Sequence, residues 1–288
     1  MFLALVSGVI VFVCCNSVAR AEGPLPLGVM TFNIRTSNID DGANGWVHRK
    51  ALMVDTIARH APHVLGLQEA LADQIEYLSE ALPEYRWLGV DRGLNGGTGL
   101  SEYTPIFYRH AELVPIESGN FWLSSTPEGP RGSGRRRNVS RIVTWAQFHH
   151  VETGLRFYVF NTHLTLRRGP RQLESVRMIT SRLATLPADS AIVVTGDFNA
   201  VAEMSDTWEA ATADRLRDAW VVAMERNGPP RTSGEFGPPA DAPDGRIDWI
   251  LVGGPVAVRS VETVVANDQD RYPSDHYPVL AQIEVQEQ

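Results

Sequence analysis

The sequence is almost free of cysteine. Its 288 residues include only Cys14 and Cys15, both close to the amino terminus. The rest of the chain therefore cannot form a disulfide, use a thiol as a nucleophile or bind zinc through sulfur. The fold must depend on a buried core instead, and a chain of this length with 43% apolar residues can bury one.

Long apolar runs are also scarce. One run covers residues 2–15 and is followed by Ala19-Arg20-Ala21, a pattern typical of a secretory signal peptide. We expect cleavage after residue 21 and a secreted or periplasmic mature protein of residues 22–288. A membrane anchor is one alternative, but the run is shorter than the roughly 20 apolar residues of a spanning helix. A lipoprotein is the other, although large residues precede Cys14 where small ones are expected.

The chain has a deficit of positive charge. It contains 26 basic and 34 acidic residues, for a net charge of −8, and signal cleavage would also remove Arg20. An acidic surface disfavours long polyanions unless basic residues are clustered. Two clusters are present: Arg131, Arg135, Arg136, Arg137 and Arg141, then Arg167, Arg168 and Arg171. They are either solvated loop charge or a local attraction for a nucleic acid, a phosphorylated inositol or an anionic lipid.

Repeats, heptads and low-complexity segments are absent after residue 22, and short apolar strands alternate with a few helices. The patterns predict strands at 27–34, 64–68, 86–90, 104–108, 142–148, 157–161, 191–195, 247–252 and 279–285. They predict helices at 46–60, 71–82 and 170–185. This order favours a layered α/β fold. Segments 91–99, 124–138 and 227–245 are predicted loops around one site, so residues 22–288 are predicted to form a single domain.

Six short segments place polar residues at or near the ends of predicted strands. Singly, each has an ordinary structural explanation: Asn33 in a turn, Glu69 as a helix cap, Asp197 with Asn199 in an Asx turn. Their occurrence together in one chain favours a single site. The segments are Thr31-Phe32-Asn33, Leu67-Gln68-Glu69, Asn161-Thr162-His163-Leu164, Gly196-Asp197-Phe198-Asn199, Arg246-Ile247-Asp248-Trp249-Ile250 and Ser274-Asp275-His276-Tyr277-Pro278.

This ordered set resembles the endonuclease/exonuclease/phosphatase superfamily, which includes exonuclease III, deoxyribonuclease-I-like nucleases, sphingomyelinases and inositol polyphosphate 5-phosphatases. The resemblance covers residues 27–285, and its most specific segments are 195–199 and 274–276. It points to a secreted, largely bacterial branch. The fold that it implies is a four-layer α-β-β-α sandwich with two packed mixed β-sheets.

The resemblance also implies a metal site and a hydrolytic mechanism. Glu69 and Asn33 would bind a divalent ion, with Asp275 completing the set. Oxygen ligands suit Mg²⁺, with Mn²⁺ as a substitute and Ca²⁺ as an auxiliary ion. Asp197 would act as the general base for an attacking water, and Asn199 would orient that water or a phosphate oxygen.

The remaining residues would contact or support the phosphate. His276 would donate to it, held by Asp248, and His163 would be the second histidine of the site. Glu102 is expected to pair with His163. Arg141 and Tyr108 are candidates for binding phosphate oxygens, Arg141 because a guanidinium can bind them in bidentate fashion.

These observations predict a metal-dependent phosphoesterase, with a phosphodiester favoured because two histidines can serve a poor leaving group. A phosphomonoesterase acting on inositol or other polyphosphorylated molecules is an alternative. An inactive module that binds phosphorylated ligands is a second, and a metal-free glycosidase with paired carboxylates is a third. The partner implied is a phosphoester substrate, with nucleic acid as one candidate, and the sequence implies no protein partner.

Overall fold

The computed structural model describes residues 23–93, 101–129, 141–240 and 245–286. The described part of the chain forms thirteen strands, five α-helices and one short 3-10 helix at Gly42–Asn44. In chain order the elements are β1 (Leu25–Asn33), α1 (Trp46–His60), β2 (Val64–Gln68), α2 (Ala72–Ala81), β3 (Tyr85–Leu88), β4 (Ile106–Arg109), β5 (Leu113–Trp122), β6 (Ile142–His150), β7 (Arg156–His163), α3 (Pro170–Leu183), β8 (Ile192–Asp197), α4 (Asp206–Thr212), β9 (Leu216–Asp218), α5 (Ala219–Val222), β10 (Glu225–Asn227), β11 (Asp248–Gly253), β12 (Val256–Thr263) and β13 (Val279–Val285).

The strands form two mixed sheets. The first has seven strands in the order β10-β12-β13-β1-β2-β4-β3, and the second has six in the order β5-β6-β7-β8-β11-β9. In the first, β1 is antiparallel to β13 and parallel to β2. In the second, β7 is parallel to β8, and β8 is antiparallel to β11. Each sheet therefore combines both kinds of pairing.

Three apolar clusters define the layers. The central cluster lies between the sheets and contains residues of both, among them Val29, Phe157 and Val252. A second cluster joins α1 and α2 to the first sheet. A third joins α3 and α4 to the second sheet. The predicted four-layer α-β-β-α sandwich is therefore confirmed.

The nine predicted strands and three predicted helices all occur, with ends that differ by up to a few residues. The sequence patterns missed β5, β12, α4 and the short elements β9, α5 and β10. Strand β5 contains Pro115, lies at the edge of its sheet and has a register shift at that proline. Proline is tolerated at such edges, but it breaks the pattern by which a strand is recognised in sequence.

The inner faces of the central strands change in character from one end to the other. Alternate residues of a strand point to the same face, so each strand contributes one row of side chains to the space between the sheets. Each row begins apolar and ends with a site residue, and in β1, β7 and β8 the residue between them is polar. They are Val29, Thr31 and Asn33 in β1, Val159, Asn161 and His163 in β7, Val193, Thr195 and Asp197 in β8, and Val252, Ile250 and Asp248 in β11.

A buried polar bridge connects the two sheets below the site, and we define it as Gln68, Asn161 and Thr195. Gln68 Nε2 donates to Asn161 Oδ1 at 2.7 Å, and Thr195 Oγ1 donates to the same oxygen at 3.1 Å. Asn161 Nδ2 donates to the carbonyl oxygens of Leu67 and Pro105 at 2.7 and 2.9 Å. The bridge fixes the first sheet against the second because its members come from both.

Gly66 makes room for this polar bridge. A Cβ atom at this position would lie 2.2 Å from Thr195 Oγ1 and 2.7 Å from Asn161 Oδ1. Both contacts are far shorter than van der Waals distance, and both atoms are held by buried hydrogen bonds. Glycine is therefore required here for close packing of the sheets and not for a special backbone angle.

We expect Gly66→Ala to lower the free energy of unfolding by about 1–3 kcal/mol, because the added methyl group overpacks the polar bridge. Urea denaturation of wild type and variant measures the change. Gly129→Ala is the control, since a Cβ there has no neighbour within 4 Å. Equal stability of Gly66→Ala and wild type would contradict the close approach of the sheets.

Candidate active site

Polar side chains from both sheets meet at one end of the space between them. Strand β1 supplies Asn33, β7 supplies His163, β8 supplies Asp197 and β11 supplies Asp248. His163 is the register partner of Asp197, and Asp197 is the register partner of Asp248. Strand pairing therefore brings His163, Asp197 and Asp248 together, and the packing of the two sheets adds Asn33.

Asp197 lies at the centre of the cluster and is 1% exposed. Its Oδ2 accepts from Asn33 Nδ2 at 2.9 Å, and its Oδ1 accepts from the Asn199 backbone N–H at 2.8 Å. Burial, together with the nearby Asp248 carboxylate, raises the pKa of Asp197 from 3.8 to about 7. A carboxylate with such a pKa can accept a proton near neutral pH.

His276, which is half-buried, forms a hydrogen-bonded pair with buried Asp248. His276 Nδ1 lies 2.8 Å from Asp248 Oδ2, and His276 Nε2 lies 4.0 Å from Asp197 Oδ2. Burial opposes the charged imidazole, but Asp248, Asp197 and Asp275 outweigh it and raise the pKa of His276 well above its ordinary value. His276 is therefore an imidazolium at neutral pH, with its Nε2–H directed toward the cluster.

The pKa of His163 is shifted in the opposite direction. Its Nε2 accepts from Asn199 Nδ2 at 3.0 Å, which leaves the proton on Nδ1. Burial, with Arg141 and Arg92 nearby, lowers the pKa of His163 well below its ordinary value. The ring is therefore neutral, and the two histidines of the site differ in charge.

Glu102 lies beside His163 but binds another residue more closely. Its Oε2 is 4.0 Å from His163 Nδ1, and its Oε1 accepts from Arg92 Nη2 at 2.6 Å. The Nδ1 atom of His163 is buried and has no hydrogen-bond partner. The expected pairing of Glu102 with His163 is thus only a loose contact, because Arg92 holds the carboxylate.

Glu69, Asn33 and Asp275 occupy one side of the cluster. Asn33 Nδ2 donates to Glu69 Oε1 at 3.1 Å, and the Thr36 N–H donates to Glu69 Oε2 at 3.3 Å. Asp275 Oδ1 accepts from Ser274 Oγ at 3.1 Å, and burial raises the pKa of Asp275. The charge of Glu69 acts on Asp275, and Ser274 Oγ donates to the Asn33 carbonyl at 2.7 Å, so the segment that precedes β13 lies beside the ends of β1 and β2.

The Asn33 amide does not present its oxygen to these acids. Its Oδ1 accepts from the Arg35 N–H at 3.0 Å, while its NH₂ group faces Glu69 and Asp197. The expectation that Asn33 supplies an oxygen ligand therefore requires the amide to turn over. As arranged, Asn33 instead holds two carboxylates together by donating to both.

The cluster can hold a divalent cation. Asp197, Asp248 and, in its neutral form, His276 each offer a ligand atom, and these three atoms lie within 4.8 Å of one another. Asp248 Oδ1 is buried without a hydrogen-bond partner. Buried like charges repel, and a cation that binds between them removes that cost. Glu69 and Asp275 add two further carboxylates beside the three residues.

Arg141 reaches the site, whereas Tyr108 does not. Arg141 Nη1 is buried without a partner, and the charges of Glu102, Asp197 and Glu69 act on its guanidinium. Tyr108 instead pairs with Val64, at the opposite end of β2, and packs on Phe148 with ring centroids 5.0 Å apart. The prediction that Tyr108 binds phosphate is therefore wrong, because strand direction places it in the apolar half of the core.

The sequence patterns overlooked three arginines near the site. Arg35 binds Asp41 through two hydrogen bonds and lies 3.7 Å from Asp275. Arg92 binds Glu102, as described above. Arg49 is fully buried and donates to four backbone carbonyls, including those of Arg35 and Pro273, and burial lowers its pKa to about 10.

Two site residues have left-handed backbone angles, Glu69 with φ 60° and Asn199 with φ 50°. Such angles cost on the order of 1 kcal/mol for residues other than glycine, and they concentrate at functional sites. Glu69 directly follows the end of β2, and Asn199 lies two residues after the end of β8, where the chain turns. The turn at Asn199 also lets its backbone N–H reach Asp197.

The structure describes the second arginine cluster but only Arg141 of the first. Arg131, Arg135, Arg136 and Arg137 lie outside the described residues, as does the predicted signal peptide. Arg167, Arg168 and Arg171 are exposed after β7. Among the described residues, no helix has both the length and the apolar character needed to cross a bilayer.

The fold and the site define a class of protein, the α/β-sandwich hydrolases whose reactive groups lie where two packed sheets end. The Endonuclease/Exonuclease/phosphatase family model matches residues 30–276. The chain belongs to this family, whose members are hydrolases acting on phosphoesters. The search of curated proteins gave no match.

Several solved structures resemble this one. An endonuclease/exonuclease/phosphatase from Bacteroides vulgatus is 33% identical, with a TM-score of 0.82 and coverage of 91% of this chain and 99% of that one. A family protein from Bacteroides thetaiotaomicron is 28% identical, with a TM-score of 0.83 and coverage of 92% and 96%. A mannosyl-6-phosphatase from the same organism is 29% identical, with a TM-score of 0.80 and coverage of 89% and 99%.

The raised pKa of Asp197 predicts how stability depends on pH in a chelating buffer. From pH about 4 to about 7 the folded protein retains a proton that the unfolded chain has released, so this group's contribution to stability falls as pH rises. Asp197→Asn removes the titration. We therefore expect the variant to gain stability relative to wild type across this range and to keep that gain at higher pH.

Urea denaturation with EDTA at pH 4, 5, 6, 7 and 8 measures the difference in the free energy of unfolding between Asp197→Asn and wild type. Groups that titrate alike in both proteins cancel in this difference. Asp55→Asn is the control, because it makes the same change at an exposed position of α1. A difference between wild type and Asp197→Asn that is the same at every pH would contradict the raised pKa.

Proposed function

We propose that this protein is a divalent-metal-dependent phosphoesterase, with Mg²⁺ as the ion and Mn²⁺ as its substitute. The observation that carries the proposal is the convergence of four carboxylates and two histidines at one end of the sandwich. Membership of the Endonuclease/Exonuclease/phosphatase family supports it. A glycosidase requires only a pair of carboxylates and has no use for the remaining groups.

The ion would be held by oxygen ligands. Glu69 and Asp275 are our proposed ligands, and Asn33 would join them once its amide is turned over. Ca²⁺ would serve as an auxiliary ion. Asp197, Asp248 and His276 form the alternative set, in which His276 would have to bind as the neutral imidazole instead of donating to phosphate. When bound, the ion would neutralise negative charge on the phosphoryl oxygens. Oxygen donors without sulfur fit Mg²⁺ and Mn²⁺ better than soft metals.

Asp197 would serve as the general base. Its Oδ1 is held by the Asn199 N–H and its Oδ2 by Asn33, so the carboxylate has a fixed orientation. Its raised pKa suits the removal of a proton from water near neutral pH. Asn199, linked through its side chain to His163, would orient the water or a phosphate oxygen.

The cationic groups would bind the phosphate. His276 is positively charged and directs Nε2 into the cluster, so it can donate to a phosphoryl oxygen. Arg141 has an unpaired buried Nη1 that can do the same. Neutral His163 would add a contact beside them. In-line attack then leaves the departing oxygen to be stabilised by donors already in place.

The retention of these groups opposes an inactive phospholigand-binding module. Such a module needs donors for phosphate, but it does not need a buried carboxylate whose pKa is raised toward neutrality. The predicted signal peptide would place the enzyme outside the cytoplasm, either secreted or periplasmic. Nucleic acid is one candidate substrate, and exposed Arg167, Arg168 and Arg171 could attract it.

A phosphomonoesterase is the second candidate. The mannosyl-6-phosphatase relative favours it, because that protein's name denotes a sugar phosphate monoester. The histidine pair favours a phosphodiester instead, since a donor is most useful to a poor alkoxide leaving group. Both reactions use the same attack on phosphorus and differ only in what the pocket admits.

We expect the purified protein to hydrolyse bis(p-nitrophenyl) phosphate with Mg²⁺ or Mn²⁺ and to lose this activity in EDTA. Asp197→Asn and His276→Ala should each lower kcat by about 10² to 10⁴, because each removes a proton-transfer or donor group. Asp55→Asn and His110→Ala make the same changes at exposed positions and should retain activity. Full activity in EDTA would favour a metal-free mechanism.

Substrate class is decided by comparing kcat/KM for diesters and monoesters in one buffer. The panel contains plasmid DNA, RNA, sphingomyelin, inositol phosphates and a hexose 6-phosphate. We expect the highest kcat/KM for one of the diesters. A hexose phosphate or inositol phosphate that exceeds all diesters would instead assign the enzyme to the phosphomonoesterases.

A further inference from the structure

The Asp248–His276 pair joins two sheets that do not share a strand. Asp248 is the first residue of β11, in the six-stranded sheet, while His276 precedes β13, in the seven-stranded sheet. No backbone ladder connects β11 directly to β13 in the described parts of either sheet. Some other contact must therefore hold the two residues at their 2.8 Å separation.

Thr232 makes that contact on the Asp248 side. It lies in the loop between β10 and β11 and is 0% exposed. Its Oγ1 accepts from the Ile247 N–H at 3.0 Å and the Asp248 N–H at 3.1 Å, and it donates to the Gly245 carbonyl at 3.2 Å. A hydroxyl has one proton and two lone pairs, so every hydrogen-bonding capacity of this side chain is used.

The backbone of the same residue makes the contact on the His276 side. The Thr232 carbonyl accepts from the Tyr277 N–H at 2.7 Å, and Ser233 forms a β-bridge with His276. The Gly234 and Glu235 N–H groups both donate to the Asp275 carbonyl, at 2.7 and 2.9 Å. The Thr232 side chain thus faces one member of the pair while its main chain holds the other.

We propose that Thr232 is a positioning residue that keeps the Asp248 carboxylate and the His276 imidazole in register across the two sheets. The role rests on the proposed function, since it acts through His276. It predicts a specific loss: without the hydroxyl, the start of β11 loses its acceptor, and Asp248 is no longer fixed relative to the segment at 275–277. A misplacement of about 1 Å at such a pair costs roughly 10²-fold in rate.

Thr232→Val tests the proposal because it removes the hydroxyl and preserves the shape of the side chain. We expect kcat to fall by roughly ten- to a hundredfold with KM nearly unchanged. Thr232→Ser restores the hydroxyl without the methyl group and should return kcat to within about threefold of wild type. If the valine variant does not fold, Thr232→Ala takes its place, since it only removes atoms.

Thr263→Val is the matched control. Thr263 is also buried, at 1% exposed, but its Oγ1 has no hydrogen-bond partner. The same chemical change there should leave kcat unchanged. Thermal unfolding of all the variants separates a general loss of stability from a specific loss of rate.

A readout independent of activity is the proton resonance of the His276 Nδ1–H, which hydrogen bonding to a buried carboxylate shifts strongly downfield. His276→Ala assigns this resonance by its loss. We expect it in wild type, Thr232→Ser and Thr263→Val, and we expect it to be broadened or absent in Thr232→Val. If wild type hydrolyses no phosphoester, the proposed function fails, and this resonance alone decides the positioning role.

Two results would overturn the proposal. The first is wild-type kcat and an unchanged imidazole resonance in Thr232→Val. The second is an equal loss in Thr232→Val and Thr232→Ser, because the methyl group, and therefore packing, would then be what matters.

Discussion

The hydrogen bonds among Gln68, Asn161 and Thr195 are the contacts on which the site depends. They lie between the apolar core and the cluster of acids, and they connect the first sheet to the second. Gly66 lets the sheets approach closely enough for these bonds to form. If the sheets separated or slid, Asn33 and Glu69 of one sheet would no longer meet Asp197 and Asp248 of the other.

The site itself works against stability. Burial raises the pKa of Asp197, Asp275 and Glu102, so each carboxylate is held where its charged form is disfavoured. Donors offset part of this cost, notably Asn33, which bridges two of the acids. Protonated His276 offsets more. The proposed cation would complete the balance, which explains how a fold can keep so many buried acids together.

Most of the candidate site could be predicted from its sequence. Asp197, Asp248 and His163 sit at the ends of strands that the apolar patterns located well, and strand pairing then made them neighbours. Because alternate residues of a strand share a face, the sequence also showed that Val193, Thr195 and Asp197 lie on one face of β8 and change from apolar to acidic along it. Tyr108 was misplaced for a simple reason: the pattern shows that a residue lies in a strand, but not which end of the sheet that residue reaches.

Three other features of the site could not be predicted from the neighbouring sequence: the protonation of the histidines, the orientation of the Asn33 amide and the role of Thr232. The pKa of each histidine depends on burial and on neighbours distant in sequence, which are Asp248 for His276 and Arg141 for His163. The orientation of the Asn33 amide depends on Arg35 and on acids from both sheets. Thr232 resembles any loop threonine until its hydroxyl is seen to contact the start of β11.

The sequence alone determined the layers, the absence of cysteine chemistry after residue 15 and the identity of most acids in the site. A layered α/β arrangement and the lack of cysteine follow from periodicity and composition, which are local, whereas the four layers and the acids of the site follow from short motifs that resemble those of the family. Only the tertiary structure decided the distances between the acids, their protonation and the loop contacts that hold them. Those depend on how two sheets pack, and packing brings together residues separated by more than 200 positions, such as Asn33 and Ser274.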